Sequence, residues 1–231
     1  MREILDGLLQ GFRLLLAGDP EIWGTTARSL LISGSATILA TLVALPFGIW
    51  VAIGRVPARG AVRAALYAGM GMPTVLVGLV LTMLFWREGP LGGFGLLFTP
   101  TAVTLGQVVI AFPIVAGLTA SAMSAIEPRV VLQVRALGAS PLQAARLLAL
   151  EARPGLIVAV LAGFGHALSE VGAAMMLGGN LAGETRVLTT ATVLAARMGK
   201  FDLAVGLAFL LFAIALFANG GAALLQPKAR R

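Results

Sequence analysis

Cysteine is missing from the 231 residues, and histidine occurs once, as His166. Without cysteine there is no disulfide and no thiolate metal site. A single histidine cannot build the HExxH helix of a zinc hydrolase, and no G-x-S-x-G nucleophile elbow occurs. The G-x-x-x-x-G-K-S/T loop is absent too, so the chain has no phosphate-binding loop with which to hydrolyse ATP. Charge is scarce as well: only 12% of residues are Asp, Glu, Lys or Arg. A soluble domain carries roughly 25%.

Apolar residues fill the gap, at 58% of the chain. Runs of about 20 apolar residues recur along the whole length, each long enough to cross ~30 Å of hydrocarbon. The expected fold is an all-α polytopic membrane protein of one helical domain with about five transmembrane helices. The net charge of +7 does not indicate nucleic acid, because the basic residues sit between apolar runs and not on one polar face. They fit membrane loops instead.

Residues 1–18 read as an amphipathic segment lying in the interface, with a short, distorted first span as the alternative. Ile4, Leu5, Leu8, Leu9, Phe12, Leu15 and Leu16 share one face, and Glu3, Asp6, Gln10 and Arg13 the other. No cleavable signal pattern opens the chain. Spans are expected at 26–53, 62–86, 101–125, 154–177 and 203–225, the second interrupted by Gly69, Gly71 and Pro73 and the third containing Pro113. A tail follows at 227–231. Placing that tail in the cytoplasm puts ten of the 17 Lys and Arg residues on the cytoplasmic side, the expected bias. Ser29, Ser33, Thr37 and Thr41 form a four-residue-spaced stripe on the first span, and Gly165 and Ser169 repeat that spacing on the fourth. Such stripes suit tight helix packing, or, on the first span above all, a polar lining for a path.

The loop at 126–153 is too long for a simple connector. Ser140 is a good N-cap, Pro141 suits the first helical position, and Gln143 completes a capping box. Gly138 can end the preceding helix in a left-handed conformation. The loop therefore reads as helix, turn, short helix, with Leu142, Leu147 and Leu148 exposed beside Gln143 and Arg146. Such a surface wants a partner, or folds back on its own bundle.

On these residues the loop resembles the cytoplasmic coupling loop of ABC-importer permeases. Gly138 takes the family's glycine position, and Leu148 and Leu150 its later apolar positions. Leu132-Gln133-Val134 stands where Glu-Ala-Ala is usual, and Glu151 where proline is usual. The resemblance implies the type I ABC-importer permease fold over 19–226, with Arg135, Gly138, Ala139, Ser140, Pro141, Gln143 and Arg146 coupling to a separate cytoplasmic ATPase subunit.

Glu170 lies in the fourth span, where an ionisable residue is costly, and His166 precedes it by one helical turn. It reads as a residue near a path or hinge, or as a hydrogen-bonded tether. Two ligands are too few for a zinc site. Around it, Glu170-Val171-Gly172-Ala173, Gly178-Gly179-Asn180, Thr185-Arg186-Val187 and Thr189-Thr190-Ala191 resemble the tungstate and molybdate permeases, with features of the tungstate branch. Asn180, Thr185, Arg186, Thr189 and Thr190 then offer groups that could replace the water of a passing dianion. Alternatively the threonines cap a short helix in an ordinary loop.

The expected function is the membrane-spanning permease subunit of an ATP-driven importer for tungstate or molybdate, with an ABC permease for another small anion as the alternative. The resemblance implies a second permease copy forming a homodimer, an oxyanion-binding protein outside the cell, and a multi-pass location in the cell membrane. No catalytic, cofactor-binding or metal-ligating residue is assigned on this chain. A membrane hydrolase lacks its motifs here. A scaffold would use the 126–153 loop only as a docking knob.

Overall fold

The computed structural model describes residues 19–54 and 56–225, together with Leu9 and Arg13. The amphipathic segment expected over 1–18 and the tail at 227–231 thus lie outside the described residues, those two apart. Every described regular element is helical.

The first helix, α1, is Pro20–Ile53, six residues longer at its start than expected. Asp19 explains the early start. Its carboxylate accepts from the N–H groups of Glu21 (2.8 Å) and Ile22 (3.2 Å), and Pro20 is preset for the first turn. At 34 residues α1 is about 51 Å long, well over the thickness of the hydrocarbon core.

The second span is not one helix. It consists of α2 (Arg59–Met70) and α3 (Thr74–Phe85), bent by 94° at the break between them. Pro73 has no N–H to continue the ladder and biases Met72 away from helical geometry. The third span, α4 (Pro100–Ser124), stays continuous through the buried Pro113, with Thr99 capping the N–H of Ala102 at 3.3 Å.

Helices α5 (Pro128–Ala136) and α6 (Pro141–Glu151) form the loop between spans three and four. The fourth span also departs from expectation. Its helix α7 (Arg153–Leu168) ends before Glu170, and a seven-residue helix α8 (Gly172–Gly178) follows after a break. Helix α9 (Leu188–Arg197) and α10 (Phe201–Leu225) complete the chain. By length and composition α1, α4 and α10 can each cross a membrane, and up to five spans result if each bent pair counts as one.

The bundle is organised on α4. Helix α1 lies along it, with Ala36, Ala40 and Ala44 fully buried. A Cβ added at Gly48 would meet the Ala116 carbonyl oxygen at 2.5 Å, so the two backbones touch there. Ser29 and Thr37 donate to the carbonyls of Thr25 (2.8 Å) and Ser33 (2.7 Å) on their own helix, and Ser29, Ser33 and Thr37 are all buried. On the other side α4 contacts α7, α2 and α8. The two broken spans meet: a Cβ on Gly78 of α3 would lie 2.8 Å from the Cα of Ala173 in α8. Helix α10 leaves Phe209, Phe212 and Phe217 exposed on its outer face, as a lipid-facing helix does.

Candidate functional site

Two places carry the residues singled out above, one at each end of the bundle. At the first, α5 ends at Ala136 and the chain reverses through Gly138, whose φ of +79° is left-handed. Gly138 N–H donates to the Arg135 carbonyl (3.0 Å), and Ala139 N–H to that of Val134 (3.4 Å), closing the last turn of α5. Helix α6 then starts on a complete capping box. Gln143 N–H donates to Ser140 Oγ (3.4 Å), and Ser140 N–H to Gln143 Oε1 (2.8 Å). Ser140, Pro141 and Gln143 thus act locally as read from sequence.

Leu148 does not face outward as expected. It is buried among Ala52, Met123, Ala152 and Leu156, and so pins α6 to the ends of three spans. On this face the alternative reading holds, the helix folding back on its own bundle, because the ends of three spans offer Leu148 an apolar seat. Leu142, Leu147 and Leu150 remain exposed, as do Leu132 and Leu137 from the first half of the loop. Between the end of α1 (Pro46, Ile49, Trp50) and α6 (Leu142, Ala145, Arg146) lies an apolar cleft of about 1020 Å³, with Arg135 on its rim. Arg135 and Arg146 are exposed and form no ion pair among the described residues. The result is a capped apolar knob with positive charge around it.

At the opposite end, the structure separates His166 from Glu170. Helix α7 stops at Leu168, so the two do not share a helix face as expected. Ser169 instead turns its hydroxyl back to the carbonyls of Gly165 (2.9 Å) and His166 (3.1 Å), and such back-bonding competes with the helix at that point. Glu170 sits in the break at 5% exposure. Its carboxylate accepts from Ala173 N–H at 2.9 Å, capping α8, and its carbonyl accepts from the Thr189 hydroxyl at 2.8 Å.

The threonines face inward. The Thr185 hydroxyl donates to the Gly178 carbonyl and accepts from Leu181 N–H (2.9 Å), closing the loop after α8. The Thr190 hydroxyl accepts from Val187 N–H and donates to its carbonyl, both at 3.1 Å, which starts α9. All of Thr185, Thr189 and Thr190 are buried. Asn180 is left-handed at φ +54°, and its buried Oδ1 has no hydrogen-bond partner among the described residues. Arg186 pairs with Glu21 at 3.1 Å, while its carbonyl accepts from Arg28 Nε at 3.3 Å. Ser29 Oγ accepts from Leu188 N–H at 2.8 Å. Sequence reasoning missed Glu21, Arg28 and Ser29 as partners of this segment, since they lie about 160 positions away and no local pattern announces them.

The loop after Glu170 is therefore a tied structure strapped to the start of α1. A test follows for Glu170. Glu170→Gln keeps an acceptor for Ala173 N–H and should melt close to the parent in detergent. Glu170→Ala strands that buried N–H and should cost about 1–2 kcal/mol. A Gln variant that melts normally yet loses uptake would show that the charge itself serves transport.

Comparison with known proteins agrees with this geometry. Residues 44–231 match the family of the binding-protein-dependent transport system inner membrane component. The tungstate uptake system permease protein TupB of Peptoclostridium acidaminophilum is 35% identical over 95% of this chain and 96% of its own length. Its namesake from Campylobacter jejuni is 34% identical over 94% and 90%. Among solved structures, an inward-facing form of the MetNI methionine ABC transporter matches with a TM-score of 0.70, covering 91% of this chain and all of that one at 19% identity. The chain belongs to the binding-protein-dependent inner membrane components: it is a permease subunit of an ABC importer, and not itself an enzyme.

Proposed function

We propose that this permease imports tungstate. The likeness to tungstate uptake permeases, which runs nearly end to end, carries the reading. In this reading two copies form the path and alternate access between the two sides. The C-terminus and the 126–153 loop face the cytoplasm, where the knob of α6 seats in a separate ATPase subunit. A binding protein outside delivers the oxyanion to the end that holds Glu170 and Arg186. High affinity belongs to that binding protein, because a path must release what it binds.

The test is elemental uptake by cells carrying the permease with its ATPase and binding protein, counted for tungsten, molybdenum and sulfur together. Tungsten accumulation that resists excess molybdate and stops with an ATPase-dead partner is the expected result. Equal molybdenum uptake would overturn the choice of tungstate. No chain-dependent uptake of any of the three would remove the oxyanion reading altogether.

A further inference from the structure

Two arginines at the coupling-loop end have no counter-charge among the described residues. Arg59 and Arg63 stand one turn apart on α2, a spacing that sets the Cβ atoms of such a pair about 5–6 Å apart. Their helix face is the one that carries buried Leu66 against α4. Both side chains are half-buried, and the Nε of each is buried without a hydrogen-bond partner among the described residues. Arg63 Nη2 donates to Ser124 Oγ, which in turn donates to the Ala120 carbonyl at 2.7 Å. Among the described residues the ion pairs are Arg129–Glu127 and Arg186–Glu21, so no carboxylate neutralises either cation.

The backbone makes the imbalance worse. Arg59 is the first residue of α2, whose first turn holds no acid and whose N-cap, Ala58, supplies no side-chain hydrogen bond. The free N–H groups of that turn add partial positive charge beside two guanidinium groups. Partly desolvated cations without a counter-charge are costly, and arginine forks match the acceptor geometry of tetrahedral oxyanions.

We propose that Arg59 and Arg63, the latter braced by Ser124, form a binding site for a tetrahedral oxyanion where α2 begins and α4 meets the coupling loop. The site goes beyond the transport reading and does not depend on the cargo being tungstate. Free oxyanion and the phosphate of an anionic lipid share the required chemistry. Ser124 lies four residues before Pro128, the start of α5, so a bound anion would tie α2 to the root of the coupling loop.

The permease with its ATPase subunit, in phosphatidylcholine nanodiscs, is titrated calorimetrically with tungstate and separately with inorganic phosphate. Wild type is compared with R59Q/R63Q and R59K/R63K, each shown to be monodisperse and ATPase-bound. The expected result is a saturable site for both probes that weakens by about tenfold or more in the Gln pair and is partly kept in the Lys pair. Binding that is unchanged in the Gln pair belongs elsewhere and overturns the proposal. In phosphatidylglycerol discs, a weakened titration of wild type alone identifies the lipid headgroup as the occupant. If neither probe binds in phosphatidylcholine, Arg-dependent retention of phosphatidylglycerol in native mass spectrometry sustains the site, and its absence removes it. Failure of tungstate uptake alongside intact phosphate binding here would sink the cargo reading and leave this site standing.

Discussion

Replacing Leu142 and Leu147 together by Glu should abolish ATP-dependent uptake while leaving the permease in the membrane at its normal level. Both leucines are exposed on α6 and touch little of their own bundle. Leu142 is the second residue of that helix, where a carboxylate is favourable, and Glu suits the interior position of Leu147. The Ser140–Gln143 capping box and the buried Leu148 are untouched, so the knob keeps its shape. What changes is the surface offered to the ATPase. Each leucine fully buried in a partner contributes about 1.5–3 kcal/mol, and two carboxylates placed there must also be desolvated. Together these weaken docking by at least about 100-fold. Co-purification of the ATPase with the tagged permease reads this directly. Retained co-purification with full uptake would show that α6 is not the docking element. Leu148→Ala makes the contrast: it should lower the melting temperature instead, by hollowing the cluster around Met123 and Leu156.

Gly48→Leu should prevent α1 and α4 from closing and leave little folded protein. Its first carbon alone would lie 2.5 Å from the Ala116 carbonyl oxygen and 2.7 Å from Thr119 Cβ. The nearest obstacle is backbone, which cannot rotate away as a side chain can. Overpacking costs typically about 1–3 kcal/mol where neighbours can adjust, and this seam should exceed that range. Gly34→Leu on the same helix is the control, because nothing lies within 4 Å of its added Cβ. Size-exclusion profiles and melting curves in detergent compare the two. Equal, parent-like profiles would refute the close backbone contact at Gly48.

Local signals made part of this molecule legible in sequence. The turn at Gly138 and the box at Ser140 depend on residues within four positions of each other, and both formed as read. Apolar length located the spans in the same way. Their continuity was less legible. Gly71 and Pro73 announced an interruption but could not give the 94° that packing against α4 and α8 imposes. Asp19–Pro20 was a readable start signal that the apolar run of α1 overshadowed. Glu170 was visible as a costly residue, yet its task as a cap depended on the end of α7, which hydropathy does not mark. The threonines after it could be read either as a polar lining or as caps. Only their partners, Gly178, Val187 and Glu170, decide that they tie the loop together.

Ala152 is at once the last boundary of α6 and the first of α7, and the two helices meet there at 77°. Such an elbow works as a bell crank: push on one arm and the other swings. The long arm, α7, has 16 residues and reaches about 24 Å. A rotation of about 10° at the elbow therefore carries its far tip through about 4 Å, more than a water molecule's width. That tip is Leu168, directly before the non-helical residues that hold Glu170. A small stroke delivered to α6 thus arrives, amplified, at the break between α7 and α8 that holds Glu170.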